Sequence, residues 1–216
     1  MQIMQKEMQK ELEKNIVINK IKELYQITND QISSLEKFVN SILQQNLKYN
    51  FIGRSTIDDI WQRHILDCAQ LVKFIEDKNK KFADFGSGCG LPGIVLSILG
   101  LKEIHLIEKS YRKSEFLRQA KHLSSNYIFV RQAKLEEIDK IKFDCITSRA
   151  LAPLPRLLDY ALKFLKKDGY CLFLKGKNLS QEIDNSKNIY NFEFEKFTSI
   201  TSPQSNIIKI KNITKL

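Results

Sequence analysis

The chain has 216 residues, of which 35 are Lys or Arg and 25 are Asp or Glu, a formal net charge of +10. Hydrophobic residues make up 43% of it, which excludes a disordered chain, and eight Gly with four Pro exclude a collagen-like one. The longest mostly apolar run, GIVLSILGL, has nine residues where a bilayer helix needs about twenty, so no membrane span is expected.

In chain order, residues 1–80 read as helical. The polar start MQIMQKEMQKELEK places Met4, Met8 and Leu12 four apart, a helix whose outer turns would fray easily. From Gln31 to Leu47 the apolar positions are Ile32, Leu35, Phe38, Val39, Ile42, Leu43 and Leu47, a stripe along one helix face. Asn50 and Gly53 break that pattern. A further helix is predicted from about Thr56 to Ile75, capped by Thr56 or Asp58. From Lys81 short apolar runs alternate with helical stretches. The predicted strands are Phe82–Phe85, Ile104–Ile107, Tyr127–Val130, Phe143–Thr147 and Tyr170–Leu174. The predicted helices between them are Pro92–Leu99, Ser110–Leu123 and Pro153–Leu165. Such alternation builds βαβ units on a mostly parallel sheet, an α/β fold. Asp168-Gly169 reads as a turn. NFEFEKF and NIIKIKNI predict two final strands at an antiparallel edge. The expected division is a helical cap, 1–80, and a Rossmann-like core, 81–216.

The charge is unevenly placed: residues 1–80 carry +1, 81–150 carry +4 and 151–216 carry +5. Cys68, Cys89, Cys145 and Cys171 form no CxxC pair and no His-Cys cluster, which argues against zinc and against a disulfide scaffold and suits a reducing cytoplasm. No secretory signal pattern opens the sequence.

The strongest motif is ADFGSGCGLPGIVL, residues 83–96. Gly86, Gly88 and Gly90 alternate behind a short apolar strand, and Pro92 suits a helix start. Two cofactor classes fit this turn. Gly88, Gly90 and Gly93 satisfy GxGxxG, the dinucleotide fingerprint, which would make the chain an NAD- or FAD-dependent oxidoreductase. Asp84, two residues before the first glycine, favours a ligand bearing an ammonium, as S-adenosylmethionine (SAM) does. The chain is also too short for two nucleotide-binding halves plus a substrate domain. Glu108, ending HLIE, is placed to accept ribose hydroxyls from either class.

Four blocks occur in order: RHILD at 63–67, DFGSGCGLPGIVLSI from Asp84, IEKSYRKSEFLRQ at 107–119 and DCITSRALAPL at 144–154. Together, over roughly residues 35–176, they resemble the bacterial small-subunit (16S) ribosomal RNA guanine-N7 methyltransferases, the glucose-inhibited division protein B (RsmG/GidB) family. The resemblance implies a class I SAM-dependent methyltransferase fold, a cytoplasmic enzyme, and a target guanine near the decoding region. It implies cofactor contacts at Gly86, Leu91 and Arg149. It also implies one in Gln132-Ala133-Lys134, where the family often has Arg-Ala-Glu. Lys134 replaces the acid there, leaving a backbone contact or a shift to Glu136 as alternatives.

Methyl transfer is an in-line displacement that depends on alignment. Guanine N7 has an exposed lone pair and needs no general base. Arg149, ending the fourth strand, is the candidate catalytic residue, a contact to cofactor or base. Lys175 after the fifth strand, and Arg112 and Lys113 at the start of the second core helix, are candidate phosphate contacts. His64 shares a helix face with Asp67, either orienting the guanine or bracing the helical region against the core. The reading is a SAM-dependent 16S rRNA methyltransferase, monomeric by default; a non-catalytic RNA-binding protein on the same fold remains the other alternative.

Overall fold

A computed structural model describes residues 2–139 and 141–216, without the side chains of residues 2, 3 and 6. Helix α1 spans Gln2–Leu24 and α2 spans Asn29–Asn46. Thr28 caps α2 through a reciprocal capping box: the Gln31 N–H donates to the Thr28 hydroxyl, and the Thr28 N–H donates to Gln31 Oε1. The stripe buries Leu35, Phe38, Val39 and Ile42. Leu47 departs from the expected stripe; it lies past the last helical turn and is 88% exposed.

The helix predicted from Thr56 begins later and is irregular. A single 3-10 turn occupies Arg54–Thr56. A π-helical turn follows at Trp61–Leu66, then one α turn, α3, at Asp67–Ala69, then a 3-10 turn at Gln70–Phe74. The cap position of this helical run falls on Ile60, without a side-chain cap bond; the Thr56 hydroxyl donates to the Gly53 carbonyl at 2.8 Å and Asp58 pairs with Lys10 at 2.9 Å.

Strands β1 Lys81–Phe85, β2 Glu103–Glu108, β3 Tyr127–Gln132, β4 Phe143–Arg149, β5 Leu165–Lys175, β6 Tyr190–Thr198 and β7 Asn206–Lys215 form one sheet in the order β3-β2-β1-β4-β5-β7-β6. The first five pair in parallel, and β7 runs antiparallel to both β5 and β6. Residues 82–85 of β1 are buried throughout, as a strand covered on both faces requires. Asp168-Gly169 is not a turn between elements. It lies within β5, where pairing with β4 jumps from Phe143↔Leu165 to Cys145↔Tyr170, a bulge.

Between the strands lie α4 Gly93–Ile98, α5 Tyr111–Ala120, α6 Leu154–Phe164 and α7 Leu179–Lys187. Helix α6 buries Leu154, Leu157, Leu158, Ala161 and Phe164 at i, i+3, i+4, i+7 and i+10. At roughly 1.5–3 kcal/mol per fully buried large apolar side chain, that face alone fixes its docking. Two apolar layers result. One joins α1, α2, α4 and α5 to a sheet face, running from Val17 through Phe38 and Leu71 to Leu106. The other packs α6 and α7 on the opposite face around Phe85, Phe143 and Phe173. The first crosses the 80/81 boundary without a break, so the N-terminal helices share the core of the sheet they cover.

Candidate active site

The strand order reverses at β1, with β2 and β3 on one side and β4 and β5 on the other. The crevice at the carboxyl ends of such strands is where open α/β sheets bind ligands. A cleft of about 760 Å³ opens there, within the range of small-molecule sites. Its floor is the glycine turn, including Gly86, Ser87, Gly88 and Leu91; Glu108 and Lys113 flank it, Ala133, Lys134 and Glu136 close one end, and Arg149 closes the other.

The turn is shaped by β1 and β2 together. The N–H groups of Gly86 and Ser87 both donate to the Ile107 carbonyl, at 2.9 and 3.1 Å. Gly88 has φ +56°, and a Cβ there would meet nothing closer than the Gly86 carbonyl at 3.9 Å, so it would project into open space. Its N–H donates to Glu108 Oε2 at 2.9 Å. The other oxygen, Oε1, accepts the Ser110 N–H at 2.8 Å. Glu108 is thus aimed by backbone donors while its remaining lone pairs face the cleft.

Two expected cofactor contacts lie elsewhere. Asp84 is fully buried and does not line the cleft. Its Oδ2 accepts the Gly93 N–H at 3.1 Å and its Oδ1 accepts the Thr147 hydroxyl at 3.3 Å. It braces β1, β4 and the start of α4 beneath the turn, because its side chain points down from the strand rather than up from its end. Gly90 is likewise a packing position: a Cβ there would approach Ile94 Cγ1 to 2.4 Å and Leu117 Cδ2 to 3.1 Å.

Arg149 is half-buried and anchored to the helical region. Its Nη1 donates to the Arg63 carbonyl at 3.3 Å and to Asp67 Oδ2 at 3.4 Å, and its Nη2 donates to His64 Nδ1 at 2.5 Å. Asp67 Oδ1 in turn accepts from Thr201 at 3.0 Å and from Ser199 at 3.2 Å, which ties in the β6–β7 connection. His64 is buried, and burial first, then the charges of Arg149 and Arg63, lower its pKa from 6.5 to about 3. The ring is therefore neutral. With Nδ1 accepting from Arg149, the proton belongs on Nε2, which donates to the Thr56 hydroxyl at 2.7 Å. Both ring nitrogens are thus used within the protein, and His64 bears on the cleft through Arg149.

The expected phosphate contacts divide. Lys113 lines the cleft; Arg112 does not, its guanidinium lying 5.0 Å over the Tyr49 ring at the rim. Lys175 is not free for an anion. Its side chain is 9% exposed, pairs with Glu182 at 2.5 Å and donates to the Ala152 carbonyl at 3.0 Å. At the far end Lys134 pairs with Glu137 at 3.4 Å, and Glu136 accepts from Tyr160 at 2.5 Å and from Arg156 at 3.1 Å. The Tyr160 hydroxyl, more than any other partner, holds the Glu136 carboxyl well below its ordinary range.

Sequence reasoning missed Phe51, Leu151, Tyr160 and Arg156 as cleft walls. Leu151 lies inside the DCITSRALAPL block and Phe51 outside every block, while Arg156 and Tyr160 fall in the predicted helix Pro153–Leu165, which no motif marks.

Asp84 and His64 predict a pH signature. Burial raises the Asp84 pKa from 3.8 to about 7 despite the Gly93 N–H. Between those values the folded chain holds a proton that the unfolded chain has lost, so this contribution to stability falls as pH rises through the window. For His64, between about 3 and 6.5, the unfolded chain binds a proton that the folded chain lacks, so its contribution is lost as pH falls. The two oppose each other from about pH 4 to 6.5. Asp84→Asn should therefore steepen the acid loss of stability over that range in denaturant titrations; an unchanged pH profile would contradict the assignment.

Comparison with known proteins agrees with this geometry. The family GidB, described as rRNA small subunit methyltransferase G, matches residues 31–211. The chain is 38% identical over 192 residues to the "Ribosomal RNA small subunit methyltransferase G" of Rickettsia prowazekii, covering 88% of this chain and 98% of that one. It is 34% identical over 187 residues to the protein of the same name from Rhodospirillum rubrum, covering 87% and 93%. Among solved structures, a ribosomal protein L11 methylase from Lactobacillus delbrueckii subsp. bulgaricus superposes with a TM-score of 0.58 at 20% identity, covering 69% of this chain and 78% of that one. M. jannaschii TYW2 in complex with AdoMet gives 0.51 at 18% identity, covering 66% and 72%. The fold is that of class I SAM-dependent methyltransferases, and the chain belongs to the GidB family, the rRNA small subunit methyltransferases G.

Proposed function

We propose that this SAM-dependent rRNA methyltransferase acts on N7 of a guanine near the decoding region of 16S ribosomal RNA, as a cytoplasmic monomer without a metal. The observation that carries the N7 assignment is the state of His64. It is the histidine beside the cleft, its ring is neutral, and its one acceptor nitrogen is filled by Arg149. At its Arg149 end the cleft thus presents a cation rather than a base. Guanine N7 has a free lone pair and loses no proton, whereas an exocyclic amine must lose one.

The donor set fits SAM. Glu108 offers its unused lone pairs to the ribose hydroxyls, while Ile107, Leu135 and Ala133 give an apolar wall for adenine. The backbone of Gly86 and Gly88 permits close approach, and Leu91 and Arg149 line the methionine side. When bound, SAM supplies an electrophilic methyl on a sulfonium. The protein's own work is to align the guanine with it and exclude water. Arg149 spends three of its five N–H donors on Arg63, Asp67 and His64, leaving two for guanine O6 or a phosphate. Asp84 and Gly90 act as positioning residues beneath the turn. Residues 1–80 serve as a cap on the 81–216 core, and their role at the site is to hold Arg149. Nucleoside analysis of RNA methylated in vitro tests the assignment: 7-methylguanosine is expected, and methylation of N1 or N2 would overturn it.

A further inference from the structure

Arg149 and Ala150 line two clefts, and the second, of about 450 Å³, lies on the side away from the glycine turn. It is walled by Arg63, by Lys177 of the β5–α7 connection and by the hydroxyls of Thr201, Ser202 and Ser205 from the β6–β7 connection. Arg63 and Lys177 are exposed, and neither has an acidic partner within ion-pair distance among the described residues. The other two cations of the cleft are already committed, Lys175 to Glu182 and Arg149 to Asp67. No Phe, Tyr or Trp lines this cleft, and its histidine, His64, is buried with both ring nitrogens used, so it offers no exposed aromatic face for a base. Free cations beside the Ser202 and Ser205 hydroxyls, without an exposed aromatic face, are what a sugar–phosphate backbone requires.

We infer that this second cleft is a phosphodiester subsite for the RNA strand flanking the target guanine, with Arg63 and Lys177 as its cations. The inference rests on the rRNA reading above. Arg149 is the shared wall, so a nucleotide in the cofactor cleft and the phosphate next to it would contact one guanidinium from two sides. The end of β5 explains why Lys177 and not Lys175 is available: Lys175, the last strand residue, is held by Glu182 of α7 and the Ala152 carbonyl, and the chain has left the sheet by Lys177.

The test is methylation of small subunits by the full chain, read as kcat/KM against salt, for wild type, Arg63→Ala/Lys177→Ala, Lys177→Arg and Lys22→Ala. Lys22 is an exposed control on α1, three residues before Tyr25, whose ring lies 3.2 Å under Lys78 Nζ near the amino ends of the strands. The double variant should lower kcat/KM at least roughly tenfold near 0.1 M salt and flatten the log–log salt slope by about one per cation removed. Its SAM affinity, measured by calorimetry, should match wild type, and Lys177→Arg and Lys22→Ala should keep the wild-type slope. An unchanged slope in the double variant, or an equal loss in Lys22→Ala, would overturn the subsite while leaving the enzyme assignment intact. A wild-type protein that binds SAM but methylates no rRNA would overturn the rRNA reading, and the subsite with it.

Discussion

Gly88→Val is expected to reduce SAM affinity by at least about a hundredfold, some 2.7 kcal/mol. Two effects act together. A side chain at Gly88 projects into open space above the turn, where the cofactor must approach the backbone. A β-branched residue at φ +56° is also strained by roughly 1–3 kcal/mol, and the turn relieves that strain by moving its N–H away from Glu108. The ribose-facing carboxylate then loses the donor that aims it. Calorimetric titration with SAM, beside circular dichroism to confirm folding, checks this. A folded variant with near-native affinity would show that the turn does not hold the cofactor.

Arg149→Ala has the second-largest expected effect, a fall of roughly 10²-fold in the rate of methyl transfer, the size expected when a group that orients the guanine toward the methyl is lost. The variant leaves His64 Nδ1 and Asp67 Oδ2 without their donor, which costs stability by about 1–3 kcal/mol. Single-turnover rates at saturating SAM and RNA separate the two consequences, because a loss of stability alone lowers the active fraction and not the rate per folded molecule. A folded Arg149→Ala protein with a wild-type single-turnover rate would remove Arg149 from the chemistry.

These residues also mark what the sequence reveals. The β1, β2 and β4 strands were legible because parallel strands buried on both faces are continuous apolar runs, and the glycine turn because small residues at alternate positions are rare elsewhere. Helix α7 was not legible: LSQEIDNSK buries only Leu179, Ile183 and Ser186, too sparse a stripe to register. The direction of Asp84 escaped for a different reason. A strand buried on both faces carries no polar–apolar alternation to say which way an acid points. The anchor of Arg149 depends on His64 and Asp67, 85 and 82 residues away, and no local pattern joins them. The commitment of Lys175 was hidden too, because Glu182 sits on a helix the sequence did not reveal.

The most direct measurement of the central claim is incubation of the purified chain with isotopically labelled SAM and small ribosomal subunits lacking the modification, followed by mapping of the label. The expected result is one methyl per subunit, on N7 of a single guanine in the decoding region of 16S rRNA, and none with Gly88→Val. Label on large-subunit RNA, on an exocyclic amine, or on no RNA despite tight SAM binding would contradict it.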